Sequence, residues 1–209
     1  WLITKPKREA TSLCNMKFVA LQNYIHLLTD PVTLKVVQNT LLYIVILVLF
    51  NFLLPYVLSF INTFLMKRGK HVYKALLFSS SLIALVVGAI LFQWIFNPVS
   101  GPVAALAESF GITLPAWSKT PGLVIVIISL VAVYKAFGYN FLILLSGMNS
   151  VPEELIEAAK LEKASNRSIF TNIVMPLTSS TAVYILIMTI VQGLQYVFTP
   201  IKVLTQGGP

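Results

Sequence analysis

Four long apolar runs constrain this chain more than any other feature. They are NTLLYIVILVLFNFLLPYVLSFINTFLM (39–66), ALLFSSSLIALVVGAILFQWIF (75–96), GLVIVIISLVAVYKAFGYNFLILLSG (122–147) and LTSSTAVYILIMTIVQGLQYVF (177–198). A bilayer core about 30 Å thick is crossed by about 20 helical residues at 1.5 Å each. Each run is long enough, and none alternates as a strand does. In lipid a segment must satisfy its own backbone hydrogen bonds, so the runs are expected to be helices. Pro55 lies inside the first and predicts a kink there. The composition agrees: 57% of the 209 residues are hydrophobic and 11% charged, where soluble domains carry about 25% charged residues. The expected fold is all-α, a polytopic membrane helical bundle, with residues 1–209 forming one transmembrane domain.

The excess of 15 Lys+Arg over 7 Asp+Glu does not point to nucleic acid. The cations sit in short gaps between apolar runs rather than coating a soluble surface. They report topology instead. Lys67, Arg68, Lys70, Lys74, Lys160, Lys163 and Arg167 flank the runs on one side; Lys35, Lys119 and Lys202 flank them on the other. Counting the more distant Lys5, Lys7, Arg8 and Lys17 levels the two sides, but the rule weights charges near span ends. Residues 67–74 and 149–176 are therefore expected in the cytoplasm. Upstream, KFVALQNYIHLLTDPVTLKVV (17–37) reads as an amphipathic interfacial segment broken at Asp30-Pro31. The stretch 97–121 has four prolines and two glycines and reads as a structured loop with one short helix near 102–110.

The most polar segment is SVPEELIEAAKLEKASNRSIFTNIVMPL (150–177), between the third and fourth runs. Ser150 and Glu153 have capping-box spacing, Pro152 suits a first turn, and the early acids suit a helix N-terminus. At 100° per residue Leu155, Ile156, Ala158 and Ala159 share one arc, and Glu153, Glu154, Glu157 and Lys160 share the other. A turn near 163–165 then leads to a second helix through RSIFTNIV, and Pro176 marks the entry to the last span. A solvated connection would need none of these signals; a small apolar face beside a charged one suits docking into a groove of another protein.

These residues resemble the EAA loop of permease subunits of bacterial binding-protein-dependent ABC importers: Glu-Ala-Ala, three residues, Gly, nine residues, Ile-x-Leu-Pro. Here the pattern is Glu157-Ala158-Ala159, Lys163 at the Gly, and Ile173-Val174-Met175-Pro176. Met175 for Leu conserves volume. Lys163 for Gly does not: glycine there permits a tight turn with positive φ, which lysine adopts at a cost or replaces with another turn. FVALQNYIHLLTDP, NTLLY, FQWIFNPVSGPV, GMNSVPEELIEAA and VLTQGGP are similar to segments of the carbohydrate-uptake branch, nearest to glycerol-3-phosphate importer permeases. The resemblance covers about residues 18–209. It implies four spans here of six, one preceding residue 1 and one following residue 209. It implies a multi-pass protein of the bacterial inner membrane, paired with a second permease subunit, an ABC ATPase dimer in the cytoplasm and an extracytoplasmic substrate-binding protein. It also implies that 150–176 is a coupling helix-turn-helix, with Glu153, Glu154, Glu157, Ala158, Ala159 and Lys163 at the ATPase contact. Glu157 would meet a basic residue, and the two alanines would allow close approach.

No cofactor is expected on this chain. The stretch RGKH lacks the upstream Gly and the Ser/Thr of a phosphate-binding loop, so ATP would be bound by partner subunits. Polar residues within spans mark a path. Lys135 lies near the middle of the third run, where it either meets an anionic substrate or has a structural partner; Tyr139 lies one turn on, and Asn140 follows. Gln192, Gln195 and Tyr196 form a second cluster that either binds hydroxyls or ties helices together. Ser79-Ser80-Ser81 reads as a site of close helix packing, and Trp94 and Trp117 as interface anchors. His26, His71 and the single Cys14 have no partners at ligand spacing, so no metal site is expected. An ion-coupled secondary transporter is the alternative, but it predicts acids inside the runs, and all seven lie outside them. A membrane enzyme would need a catalytic cluster, and none is present.

Overall fold

A computed structural model describes residues 28–66, 68–113, 115–117, 120 and 122–205. The chain divides into two units, Trp1–Leu42 and Tyr43–Pro209. In the first, the described residues lead into helix α1, Pro31–Leu65. Asp30 starts it: its Oδ1 accepts from Val32 N at 3.0 Å and its carbonyl accepts from Leu34 N at 3.2 Å, with Pro31 in the first turn, where a missing N–H costs nothing. Leu28 and Thr29 are helical and Asp30 is not, so Asp30-Pro31 breaks the helix before it, as expected, and also opens the span; α1 begins well before residue 39. The rest of the expected interfacial stretch, 17–27, lies outside the described residues.

The second unit contains the remaining helices: α2 Lys70–Leu82 and α3 Leu85–Ile95, α4 Pro102–Ser109, α5 Leu123–Asn149, α6 Glu153–Leu161, α7 over 166–177 and α8 Ser179–Thr205. No strand occurs among the described residues. Pro55 does not break α1. The strain is taken up by a π-helical turn, Leu49–Leu53, just before it. Proline has no N–H to offer the carbonyl four residues back, and that carbonyl, of Asn51, accepts from Asn140 Nδ2 at 2.8 Å.

The second apolar run is not one rod. α2 and α3 meet at 96°, with Ile83 and Ala84 in extended backbone. Along α2 the contacts advance along α5 in the opposite direction. Tyr73 meets Phe141 edge-on at 5.9 Å between ring centroids. Phe78 lies against Gly138, Ser81 against Lys135, and Phe92 against Tyr134 at 5.6 Å. Ala89 packs in the cluster that holds Ile127, Ile128 and Val131. From 141 to 135 α2 moves about 9 Å along α5 at 1.5 Å per residue, and α3 meets α5 at Tyr134 through both Gly88 and Phe92. Counted as one broken span, the pair makes four crossings with α1, α5 and α8.

Two apolar clusters lie at opposite ends of α5. One gathers Tyr56, Phe60, Leu144, Met148, Ile156, Ile169 and Val174; the other gathers Tyr43, Leu47, Ala89, Ile127, Val131 and Leu204. Trp117 belongs to the second at 8% exposure, so it is a core residue and not an interface anchor; Trp94 is exposed, as expected. Polar contacts tie the helices within and between the clusters. Asn140 Nδ2 also donates to Thr189 Oγ1 at 3.1 Å, tying α8 to α5. Tyr43 donates to the Gly193 carbonyl at 3.0 Å. Thr178 uses its hydroxyl proton on Val174 O at 2.8 Å, so the 2.6 Å contact to Tyr56 is donated by the tyrosine. Outward-facing Val45, Leu49, Val183, Ile187 and Leu194 remain exposed, a surface that suits lipid and not water.

Candidate functional site

Two places carry polar chemistry. The first is the hairpin of α6 and α7. α5 ends at Asn149, and Ser150 does not form a capping box: its Oγ donates back to Gly147 O at 2.7 Å, closing α5 instead. Pro152 occupies the N-cap of α6, with Glu153 and Glu154 in the first turn and Lys160 in the last, the arrangement the helix dipole favours.

The apolar arc of α6 is split. Ile156 and Ala159 are buried, at 1% and 9% exposure, against Tyr56, Phe60, Met148 and Ile169. Burying an isoleucine stabilises the hairpin by roughly 1.5–3 kcal/mol, so this face anchors α6 to its own bundle. Ala159 thus allows close approach of this chain's own helices. Glu153, Glu154, Leu155, Glu157, Ala158 and Leu161 stay exposed, Leu161 at 85%.

The turn after α6 is set by Lys163. It is the one described non-glycine residue with positive φ, +58°. Lys163 N donates to Lys160 O at 3.0 Å and Ala164 N to Ala159 O at 3.0 Å, the paired bonds of a Schellman end. The chain therefore keeps the glycine-type turn with lysine in it, at a cost of about 1–2 kcal/mol. Ser165 then caps α7, its Oγ accepting from Ser168 N at 3.2 Å. α7 passes through a second π-helical turn, Phe170–Val174, and Pro176 stands just before α8 begins at Ser179.

The second place is the break between α2 and α3. A helix end leaves carbonyls without partners. Ser79 and Ser80 hydroxyls donate back to Leu76 O at 2.7 Å and Leu77 O at 3.1 Å. Lys135 Nζ, reaching across from α5, donates to Ser81 O at 2.7 Å and Ile83 O at 2.9 Å. The serine run read as a packing feature thus marks the break. Lys135 finds its partners within this chain, where a lone ammonium at mid-span would cost at least about 3 kcal/mol. Gly138, one turn along, lets the α2 backbone approach so closely that a Cβ there would overlap Leu77 O.

Beside this junction lies a cavity of about 410 Å³ lined by Phe78, Ser81, Lys135, Ala136, Tyr139, Gln192 and Tyr196. Lys135, Tyr139, Gln192 and Tyr196, read separately on two runs, meet there. Asn140 does not line it: it is fully buried on the core side of α5, in the network with Asn51 and Thr189. Gln195 is exposed and also outside the lining. Ser81 was not singled out as a path residue, yet its Oγ is buried at the cavity without a hydrogen-bond partner. Its only signal in the sequence is a hydroxyl run in the middle of an apolar stretch. Among the described residues no cluster of metal-ligating side chains occurs.

The hairpin is thus a helix-turn-helix between the last two long apolar helices of the described chain. The family described as binding-protein-dependent transport system inner membrane component matches residues 56–208, and the chain belongs to it. It is a multi-pass inner-membrane protein. A relative from Brucella abortus biovar 1 (strain 9-941), an sn-glycerol-3-phosphate transport system permease protein UgpA, is 33% identical over 92% of this chain and 65% of its own length. A probable ABC transporter permease protein YurN of Bacillus subtilis (strain 168) is 28% identical over 92% of the chain and 66% of its own length. The chain thus spans about two thirds of these relatives. A solved bacterial ABC transporter involved in import of the acidic polysaccharide alginate has the same fold, with TM-score 0.76 and 20% identity over 89% of this chain and 65% of that one.

Proposed function

We propose that this chain is the permease subunit of an ATP-driven ABC importer for a sugar or glycerol-3-phosphate. It would work with a second permease subunit, an ABC ATPase dimer and an extracytoplasmic substrate-binding protein. The relatives' names support the substrate class: one is a glycerol-3-phosphate permease, and a solved neighbour is the alginate transporter in complex with its alginate-loaded periplasmic protein. Membership in a binding-protein-dependent family favours this reading over an ion-coupled transporter. ATP is bound and hydrolysed on the partner subunits, and this chain carries no chemical step.

The observation that carries the proposal is the two-sided α6. Ile156 and Ala159 fix it to the ends of α5 and α1, while Glu153, Glu154, Glu157 and Ala158 remain free for a partner. When the ATPases close on ATP, the docked helix moves, and α5 and α8 move with it because they are joined to the hairpin at both ends. That is alternating access by rocking. The cavity beside the break lies on the path in this reading: Tyr139, Gln192 and Tyr196 offer hydroxyl and amide groups to a polyol, and the one Lys135 N–H not given to a carbonyl attracts an anionic head.

Glu157→Lys reverses the charge without touching the buried face. Membrane insertion of the variant is expected to match the parent, and co-purification of the ATPase is expected to drop at least about tenfold, as when a close interfacial charge pair is reversed. ATPase recovered at parental yield with this variant would refute the docking face.

A further inference from the structure

We propose that Lys135 is a positioning residue that pins the joint of the broken span, so that α2 and α3 move with α5 as one body. The tie is built from independent pieces. The break is in extended backbone at Ile83 and Ala84, which frees carbonyls at the α2 end. The ammonium takes two of them, Ser81 O at 2.7 Å and Ile83 O at 2.9 Å, one on each side of Leu82. A cation at a helix C-terminus also meets the negative end of its dipole. Gly138 holds the α2 backbone against α5 one turn toward the hairpin, and Phe92 on Tyr134 holds α3 beside the joint, at the residue next to Lys135. The joint is thus gripped at three positions within about one turn of a single helix, and that helix runs directly into the α6 hairpin. Movement at the hairpin reaches the broken span through Lys135, whatever the substrate.

This role is distinct from contact with substrate, which uses the remaining N–H. A substrate ligand alters the substrate concentration at half-maximal uptake; a pin alters the maximal rate and the geometry of the joint. The test uses the full chain purified in lipid nanodiscs, with Cys14→Ser and spin labels at Leu76→Cys and Leu91→Cys, both outward-facing sites flanking the joint. The parent and Lys135→Arg, which keeps charge and donors, are expected to give one narrow distance. Lys135→Met and Lys135→Gln are expected to broaden it and shift it to longer distances as the joint opens. In the assembled transporter, maximal uptake is expected to fall about tenfold in both, the loss of roughly one charge-assisted hydrogen bond, and to recover in Lys135→Arg. A parental distance distribution in Lys135→Met or Lys135→Gln overturns the pin. So does a change confined to half-saturation, which would leave Lys135 as a substrate ligand alone. Loss of folded protein in both neutral variants with parental distances in Lys135→Arg supports the tie; loss in Lys135→Arg as well overturns it. The distance measurement stands even if the parent imports neither a sugar nor glycerol-3-phosphate.

Discussion

At the scale of single residues, the hairpin turn carries the clearest energetic statement. Lys163 occupies φ +58°, a region an L-residue enters at about 1–2 kcal/mol and glycine enters freely. Glycine gives part of that back through the larger entropy of its unfolded chain. Lys163→Gly is therefore expected to stabilise the protein by about 1 kcal/mol, seen as a higher midpoint in a detergent thermal-unfolding assay, and to hold or raise transport. A lower midpoint, or a clear loss of uptake, would mean the lysine side chain itself is needed. The family resemblance implied a glycine-type turn at position 163 and left open whether lysine keeps it; the structure shows that it does. Which face of α6 is buried was not legible in the sequence: Leu155, Ile156, Ala158 and Ala159 share an arc, and only the packing of Tyr56, Phe60 and Ile169 separates the buried pair from the exposed pair.

At the scale of elements, two glycines separate close packing from open space. A methyl at Gly138 would overlap Leu77 O and stand 2.8 Å from Ser81 Oγ and 2.9 Å from Phe78 Cα. A methyl at Gly88 would meet only Tyr134 Cδ1, at 3.9 Å. Gly138→Ala is expected to destabilise by about 1–3 kcal/mol, since backbone atoms cannot step aside. Gly88→Ala is expected to stabilise by about 0.5–1 kcal/mol through helix propensity. Thermal midpoints moving in the same direction for both would contradict the packing of α2 on α5. The same contact explains why one apolar run became two helices. Its hydropathy is continuous across Ser79-Ser80-Ser81, so the sequence reads as a straight span. The 96° bend is held by groups far away in the chain, the Lys135 ammonium and the Gly138 surface, to which a local reading is blind. Pro55 is the converse case: its local signal is strong, yet the helix continues, because a π-helical turn takes up the strain and Asn140 serves the carbonyl that proline leaves open.

At the scale of the whole molecule, four crossings, with the bent pair counted as one, put 68–74 and 150–176 on the same side. By the cations flanking the spans, that side is expected in the cytoplasm. A membrane-impermeant thiol reagent on intact cells is expected to label a cysteine at Leu106, on the exposed face of α4, and to spare a cysteine at Glu157 until the membrane is opened. Labelling of position 157 in intact cells would remove the hairpin from the reach of any ATPase. Sequence alone determined the class of fold, the number of apolar runs and the hairpin between the last two, because each depends on local hydropathy and capping residues. The tertiary structure alone decided that the second apolar run bends by 96°, that Asn140 faces the core while Tyr139 faces a cavity, and that the mid-span lysine is held by carbonyls of this same chain. Those outcomes depend on which groups, fifty or more residues apart, come within hydrogen-bonding or van der Waals distance, and no periodicity along the chain encodes that.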